Sequence, residues 1–166
     1  CSEELGFRAL RLVPQYHDYA LGCGESIAIA RLAAQVDMPM LIPHRVVDVR
    51  QHHWLDTERV IGIDEIGALC RAVPEARVIV CEGGFSAGAL VDGEGSPRYP
   101  GLYLESSRVA IDGFSEEFAA ERIAFGTGAP FKQIRPAQLK VEVADLGAES
   151  RERICGKNGR ELLGLA

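Results

Sequence analysis

Five short apolar runs, each stopped by a proline, a glycine or a polar residue and set roughly 20–40 residues apart, constrain this chain more than any other feature. They fall at residues 7–13, 39–42, 77–81, 102–106 and 122–125. The segments between them carry apolar residues at helical spacing, most clearly at 25–36 (ESIAIARLAAQV) and 64–72 (DEIGALCRA). Further helices are expected at 85–90, 115–120, 136–145 and 149–155, with a last amphipathic turn at 160–165. Residues 2–6 read as the end of a helix stopped by Gly6. Strand and helix alternating at this spacing demand parallel strands, because only a parallel neighbour needs a crossover long enough to hold a helix. Such crossovers are right-handed.

The fifth run organises the rest. Arg122-Ile123-Ala124-Phe125 opens into Gly126-Thr127-Gly128-Ala129-Pro130, a buried strand ending in a loop with exposed backbone N–H groups and one hydroxyl. In parallel α/β folds the chemistry sits at that end of the strands. Residues 15–24 read as a polar and aromatic loop carrying Tyr16, His17, Asp18 and Tyr19, and residues 92–100 as another loop. The segment 44–61 is a long loop with His44, His52, His53 and Trp54, and loops of that length in compact domains are usually functional or disordered.

A chain of 166 residues that is 47% hydrophobic suffices for one domain with its own core. Its net charge of −6 argues against nucleic acid or an acidic membrane surface as partner, since both need a basic face. No apolar run is long enough to span a bilayer, and no basic segment followed by an apolar one marks a signal peptide. Cys1, Cys23, Cys70, Cys81 and Cys155 are odd in number and never in a C-x-x-C arrangement, so reduced thiols and a cytoplasmic location are expected. The chain begins at Cys1, so it is expected to be processed or part of something longer.

Gly6-Phe7-Arg8-Ala9-Leu10-Arg11-Leu12, Met38-Pro39-Met40-Leu41-Ile42, Val78-Ile79-Val80-Cys81-Glu82-Gly83-Gly84, Leu102-Tyr103-Leu104-Glu105-Ser106-Ser107 and Arg122 to Pro130 resemble, in order and spacing, strands four to eight of an amidohydrolase-superfamily barrel. The tail from Arg153 to Gly164 resembles that family's closing segment. The branch is the one containing aminocarboxymuconate-semialdehyde decarboxylase and 2-pyrone-4,6-dicarboxylate lactonase. The resemblance implies an α/β fold: the C-terminal part, about five strands, of a (β/α)8 TIM-type barrel, with 1–166 a single domain. A whole barrel takes about 250 residues, and a five-stranded arc leaves two unpaired edges. The N-terminal strands are therefore expected to be cut off, missing or supplied by another chain.

Metal-dependent members of the superfamily hold a divalent ion with a His-x-His on the first strand, histidines ending strands five and six, and an aspartate after strand eight. This chain departs at each position it covers. Pro43 stands where the strand-five histidine falls and His44 comes one residue later, so His44 reaches the barrel interior only through a bulge. Glu82 replaces the strand-six histidine, and Gly126-Thr127-Gly128 replaces Gly-Ser-Asp, which removes the metal-binding carboxylate. No cofactor is expected. A divalent metal such as zinc enters only if a missing N-terminal part supplies ligands, with His44 and Glu82 completing the set.

Strand-end residues carry the remaining expectations. Arg11 either pairs with a substrate carboxylate or packs in an ion pair; His17 is an acid or base, or caps its loop. His44 and Arg45 end a strand and are candidate ligand contacts, as are Gly83, Ser106 and Arg108. Glu82 is either a partly buried base with a raised pKa, or a residue that caps a helix or pairs with Arg11. Cys81 alternates with Glu82 and is expected to face the helices. Thr127 and the glycines beside it offer a hydroxyl and backbone N–H groups to an anion. Trp54 covers the pocket or an interface, and the adjacent His52 and His53 make a poor paired site.

The leading expectation is an amidohydrolase-related protein acting on or binding a small carboxylate without the usual metal, with Arg11, His17, Glu82 and Thr127 as catalytic candidates. A non-enzymatic binding or structural barrel is the alternative, and a metal-dependent hydrolase or decarboxylase completed from outside the chain is a third. A homo-oligomer or an N-terminal companion segment is the macromolecular partner to expect.

Overall fold

Main-chain pairing turns the five apolar runs into one parallel sheet with strand order β1-β2-β3-β4-β5. The computed structural model describes residues 2–46, 50, 53–57, 59–84, 87–92, 94, 96–114, 119–130 and 132–165. The strands are β1 (Leu10–Arg11), β2 (Met40–Pro43), β3 (Val78–Cys81), β4 (Leu102–Glu105) and β5 (Ile123–Ala124). Every pairing is between sequence neighbours, in the registers Arg11 with Leu41, Leu41 with Ile79, Ile79 with Tyr103 and Glu105 with Ala124.

That register sorts the side chains into two faces, because residues level with each other in a parallel sheet point the same way. Met40, Ile42, Val78, Val80, Leu102, Leu104 and Ile123 pack into the main core with Ile66, Leu69 and Val73 and with Ile154. Each fully buried leucine or isoleucine contributes about 1.5–3 kcal/mol. The opposite face carries Ile79 and Ala124, with Leu41, Cys81 and Tyr103 beside them and Leu162 packed on top.

Helices α1 (Ser2–Leu5) and α2 (Pro14–His17) flank β1. The longer α3 (Gly24–Gln35) and α4 (Ile63–Ala72) bury Ala30, Ala33, Ile66 and Leu69 against the main core. Acidic Glu25, Asp64 and Glu65 sit in their first turns, where the helix dipole favours negative charge. Short α5 (Ala119–Arg122) leads into β5; α6 (Ile134–Val143) buries Ala137 and Val141. The chain closes through α7 (Ala148–Glu152), a π-helical turn (Arg153–Lys157) and α8 (Asn158–Leu162).

Several expectations are corrected. The first and fifth strands are two residues each, and among the described residues each is paired on one side. Residues 14–17, expected as strand end and loop, form α2, since Pro14 supplies a helical φ at the first position and loses no needed N–H there. The expected break between 155 and 160 is absent: α7, the π-turn and α8 run on without one. The π-turn frees the Ile154 carbonyl to accept from Phe125 N at 2.9 Å. Buried Asn158 donates from Nδ2 to the carbonyls of Ala120 and Ile123 at 2.7 and 2.8 Å, which ties this helix to β5. Of the helix expected at 115–120, residues 115–118 lie outside the described residues; of that expected at 85–90, residues 85 and 86 do, and Ala87–Leu90 is a 3-10 turn. Among the described residues no helix is long and apolar enough to cross a membrane.

Candidate functional site

The second face of the sheet ends, at the C-terminal tips of the strands, in a cavity of about 480 Å³. Alternation alone places Arg11, Cys81 and Glu105 there, each the last residue of its strand, and Gly126 follows two residues after Ala124. Arg45, Glu82, Arg108, Thr127, Gly128 and Lys132 complete the polar wall, with Tyr16 from α2.

Glu82 should face the other way, being next to Cys81. It does not, because its backbone sits in the left-handed region at φ 54°, and this turns the carboxylate back into the cavity. A non-glycine residue there costs on the order of 1 kcal/mol and is kept only where its surroundings over-determine it. Here they do: Oε2 accepts from Arg108 Nε at 2.9 Å and from Lys132 Nζ, and Oε1 lies 3.3 Å from the Ser107 hydroxyl. Burial by itself would push the Glu82 carboxyl up; the hydrogen bonds from Lys132 and Arg108 and their charge outweigh it and hold the carboxyl below the usual range. The expected raised pKa is thus corrected: as the ion-pair partner of two cations, the Glu82 carboxyl lies below its usual range. Its partners are Lys132 and Arg108, not Arg11.

Glu105 is the second carboxylate. Oε1 accepts from Ser107 N at 2.8 Å and Oε2 from the Ser107 hydroxyl at 2.7 Å, which caps the turn Ser106–Arg108. The Gly-Thr-Gly loop makes room for both acids. A Cβ on Gly126 would lie 2.1 Å from Glu105 Oε1, and one on Gly128, at φ +70°, would lie 2.5 Å from Glu82 Oε1. The two glycines are therefore required by the carboxylates opposite them. Thr127 Oγ1 accepts from Ala129 N at 3.1 Å and remains on the cavity wall.

The structure thus brings together Arg11, Arg45, Glu82, Arg108 and Thr127. It does not bring in the other expected residues. His17 is exposed, with its ring 6.3 Å from that of Tyr19, and its neighbour Tyr16 lines the cavity instead. Pro43 pairs in register with Cys81, so there is no bulge to swing His44 inward. His44 Nδ1 donates to the Ile61 carbonyl at 2.7 Å, and burial holds the imidazole pKa down. Ser106 is buried; its hydroxyl both donates to the Gly126 carbonyl and accepts from Gly126 N at 3.0 Å, which locks β4 to β5. Gly83 lies outside the cavity wall. Trp54 is 81% exposed, beside His53 and away from the cavity, and His52 lies outside the described residues. Cys81 faces the cavity, not the helices, and desolvation followed by the Glu105 charge pushes its thiol up to about 12, which leaves it a poor nucleophile.

Glu105, Lys132 and Lys140 escaped sequence reasoning. Period-two alternation from Tyr103 finds Glu105. Lys132 lies beyond the last strand and has no such signal. Lys140 Nζ donates to the carbonyls of Ser106, Ser107 and Val109 at 3.1, 2.7 and 3.0 Å and seals the wall behind Ser107.

These residues do not fit a divalent ion. Glu82 is occupied by two cations, Gly128 offers no side chain, and the described residues include no group of three His, Cys, Asp or Glu placed to hold a metal.

Solved structures share the fold. A 2,6-dihydroxybenzoate decarboxylase from Rhizobium matches over 99% of this chain and 65% of its own, at 18% identity and a TM-score of 0.66. An uncharacterised TIM-barrel protein from Bordetella bronchiseptica matches over 99% and 59%, at 16% identity and a TM-score of 0.74. A 5-carboxyvanillate decarboxylase from Sphingomonas paucimobilis matches over 99% and 61%, at 10% identity and a TM-score of 0.74. The chain thus spans about 59–65% of the length of these three structures, and its five parallel strands form part of a TIM-type barrel. No curated protein matches it. The amidohydrolase family model matches residues 1–165, and the chain belongs to that family.

Proposed function

We propose that the strand-end cavity binds a small carboxylate, and that it does so through protein cations rather than through a divalent ion held by the residues described. One observation carries this reading: the guanidinium groups of Arg11 and Arg45 line the cavity with no hydrogen bond or ion pair to any described residue. A guanidinium presents a planar fork that matches a carboxylate with two parallel hydrogen bonds. The cavity holds Arg11, Arg45, Arg108 and Lys132 against Glu82 and Glu105, a cationic surplus within a chain of net charge −6. Carboxylate decarboxylases among the structures of the same fold agree in ligand class.

Titration calorimetry with benzoate and 2,6-dihydroxybenzoate tests this. Wild type binds, and Arg11→Met weakens binding about tenfold, the worth of one charge-assisted hydrogen bond of ~1.4 kcal/mol. Absence of heat with either acid at millimolar concentration sinks the reading.

A second reading, binding without turnover, is favoured by the state of the acids and the thiol: Glu82 is held ionised by two cations and the Cys81 thiol is pushed up to about 12. Incubation with 2,6-dihydroxybenzoate followed by chromatography tests this second reading, since any decarboxylated product excludes pure binding.

A further inference from the structure

Lys132 was not a candidate on sequence, yet three independent features converge on it. Its main-chain N–H bonds to the Gly128 carbonyl at 3.1 Å, so the side chain springs from the same turn as the Gly-Thr-Gly loop. Its stem crosses the space that a side chain at 128 would fill: a Cβ on Gly128 would lie 2.8 Å from Lys132 Cδ and 3.3 Å from Cγ. Its ammonium rests on Glu82, the residue whose left-handed backbone turns the carboxylate toward it.

An ammonium has three N–H donors. Glu82 takes one, and no other described residue is bonded to this ammonium. The side chain is 29% exposed and lines both the main cavity and the small cleft beside it that Ser107 and Lys140 also line. Glu82, by contrast, is 16% exposed and already accepts from two cations. Glu82 and Glu105 balance Arg108 and Lys132 on this wall, and Arg11 and Arg45 raise the cavity as a whole to a net charge of +2, so an anionic ligand is attracted into it. A lysine left to itself is a flexible point charge. One pinned at its head by Glu82 and at its root by Gly128 has lost that freedom before any ligand arrives, which lowers the entropic cost of contact.

We propose that Lys132 is the ligand-contacting cation on the β5 side of the cavity, and that Glu82 is the positioning residue that aims it. The sheet order sets Arg11 on β1 and Lys132 beyond β5, at opposite edges of the arc, so the ligand is gripped from both sides. The proposal rests on the carboxylate reading above, and the test keeps the two apart.

The probe is benzoate, measured by titration calorimetry at a temperature where circular dichroism shows each variant folded. Lys132→Met is expected to weaken binding about tenfold and to reduce its dependence on sodium chloride, since one cationic contact is lost. Lys132→Arg restores most of the affinity, which a purely structural role would not do. Gly128→Ala removes no charge but drives a Cβ into Glu82 and Lys132, and it is expected to cost more affinity in wild type than in the Lys132→Met background, where no ammonium is left to be misplaced. If Lys132→Met binds benzoate as wild type does while Arg11→Met does not, the proposal is overturned and the carboxylate reading stands. If wild type binds no benzoate, both fall.

Discussion

Replacing Gly126 with alanine is a one-carbon change whose consequence can be worked out. Gly126 does not have a positive φ, so alanine meets no backbone penalty there. The difficulty is space. The new methyl would stand 2.1, 2.3 and 2.5 Å from Oε1, Cγ and Cδ of Glu105, distances that real Cβ atoms do not show. The Glu105 carboxylate must leave, and with it go its bonds from Ser107 N at 2.8 Å and Ser107 Oγ at 2.7 Å. The alternative is for Gly126 to move, which breaks its two-way pairing with the buried Ser106 hydroxyl. Overpacking of this kind costs about 1–3 kcal/mol and two partly exposed charge-assisted bonds add a comparable amount. We expect a loss of about 3 kcal/mol, or a Tm lowered by about 6–12 °C for a chain of this size. Urea unfolding gives the free energy. The decisive comparison is the same change in a Glu105→Ala background, where the clash is gone and most of the penalty should vanish. A loss below about 1 kcal/mol in wild type, or an undiminished loss in the Glu105→Ala background, refutes the packing of Glu105 against this turn.

Stability should fall on acidification in two stages. His44 and Glu82 both have folded pKa values below their ordinary 6.5 and 4.5, so the unfolded chain binds more protons in each window. Stability from His44 is complete above pH 6.5 and is lost as pH drops toward its folded value; that from Glu82 is complete above 4.5 and is lost below. Urea midpoints between about pH 8 and pH 3 should decline accordingly, with Glu82→Gln flattening only the lower stage; a midpoint that rises between about pH 6.5 and 4 contradicts this. Lys140→Met strips the donor from three carbonyls at 3.1, 2.7 and 3.0 Å and should cost about 2 kcal/mol, or about 4–8 °C in Tm by calorimetry. An unchanged Tm removes Lys140 from the wall.

The parallel arc was legible because it follows from period and spacing, quantities a single sequence carries. Arg11, Arg45 and Arg108 were legible for the same reason, since a strand's last residue and the loop beyond it sit at the rim. The misses have causes of other kinds. Assigning Cys81 to the helix side followed strict alternation from Glu82, and the positive φ at Glu82 breaks alternation at that one residue. An inward His44 requires a bulge at Pro43, and the ladder simply continues. The raised pKa expected for Glu82 considered burial and not Lys132, which lies 50 residues away along the chain. Lys132 and Lys140 act across the fold on partners that no local window contains, and tertiary charge placement leaves no periodic trace in sequence.

The reciprocal bond between Ser106 and Gly126 has a mechanical consequence. It rivets the tips of β4 and β5 together, and Lys140 clamps the turn behind them, so that side of the cavity behaves as a fixed jaw. The Glu105 side of the cavity therefore keeps its gauge, since the tips of β4 and β5 cannot part without breaking both of these bonds.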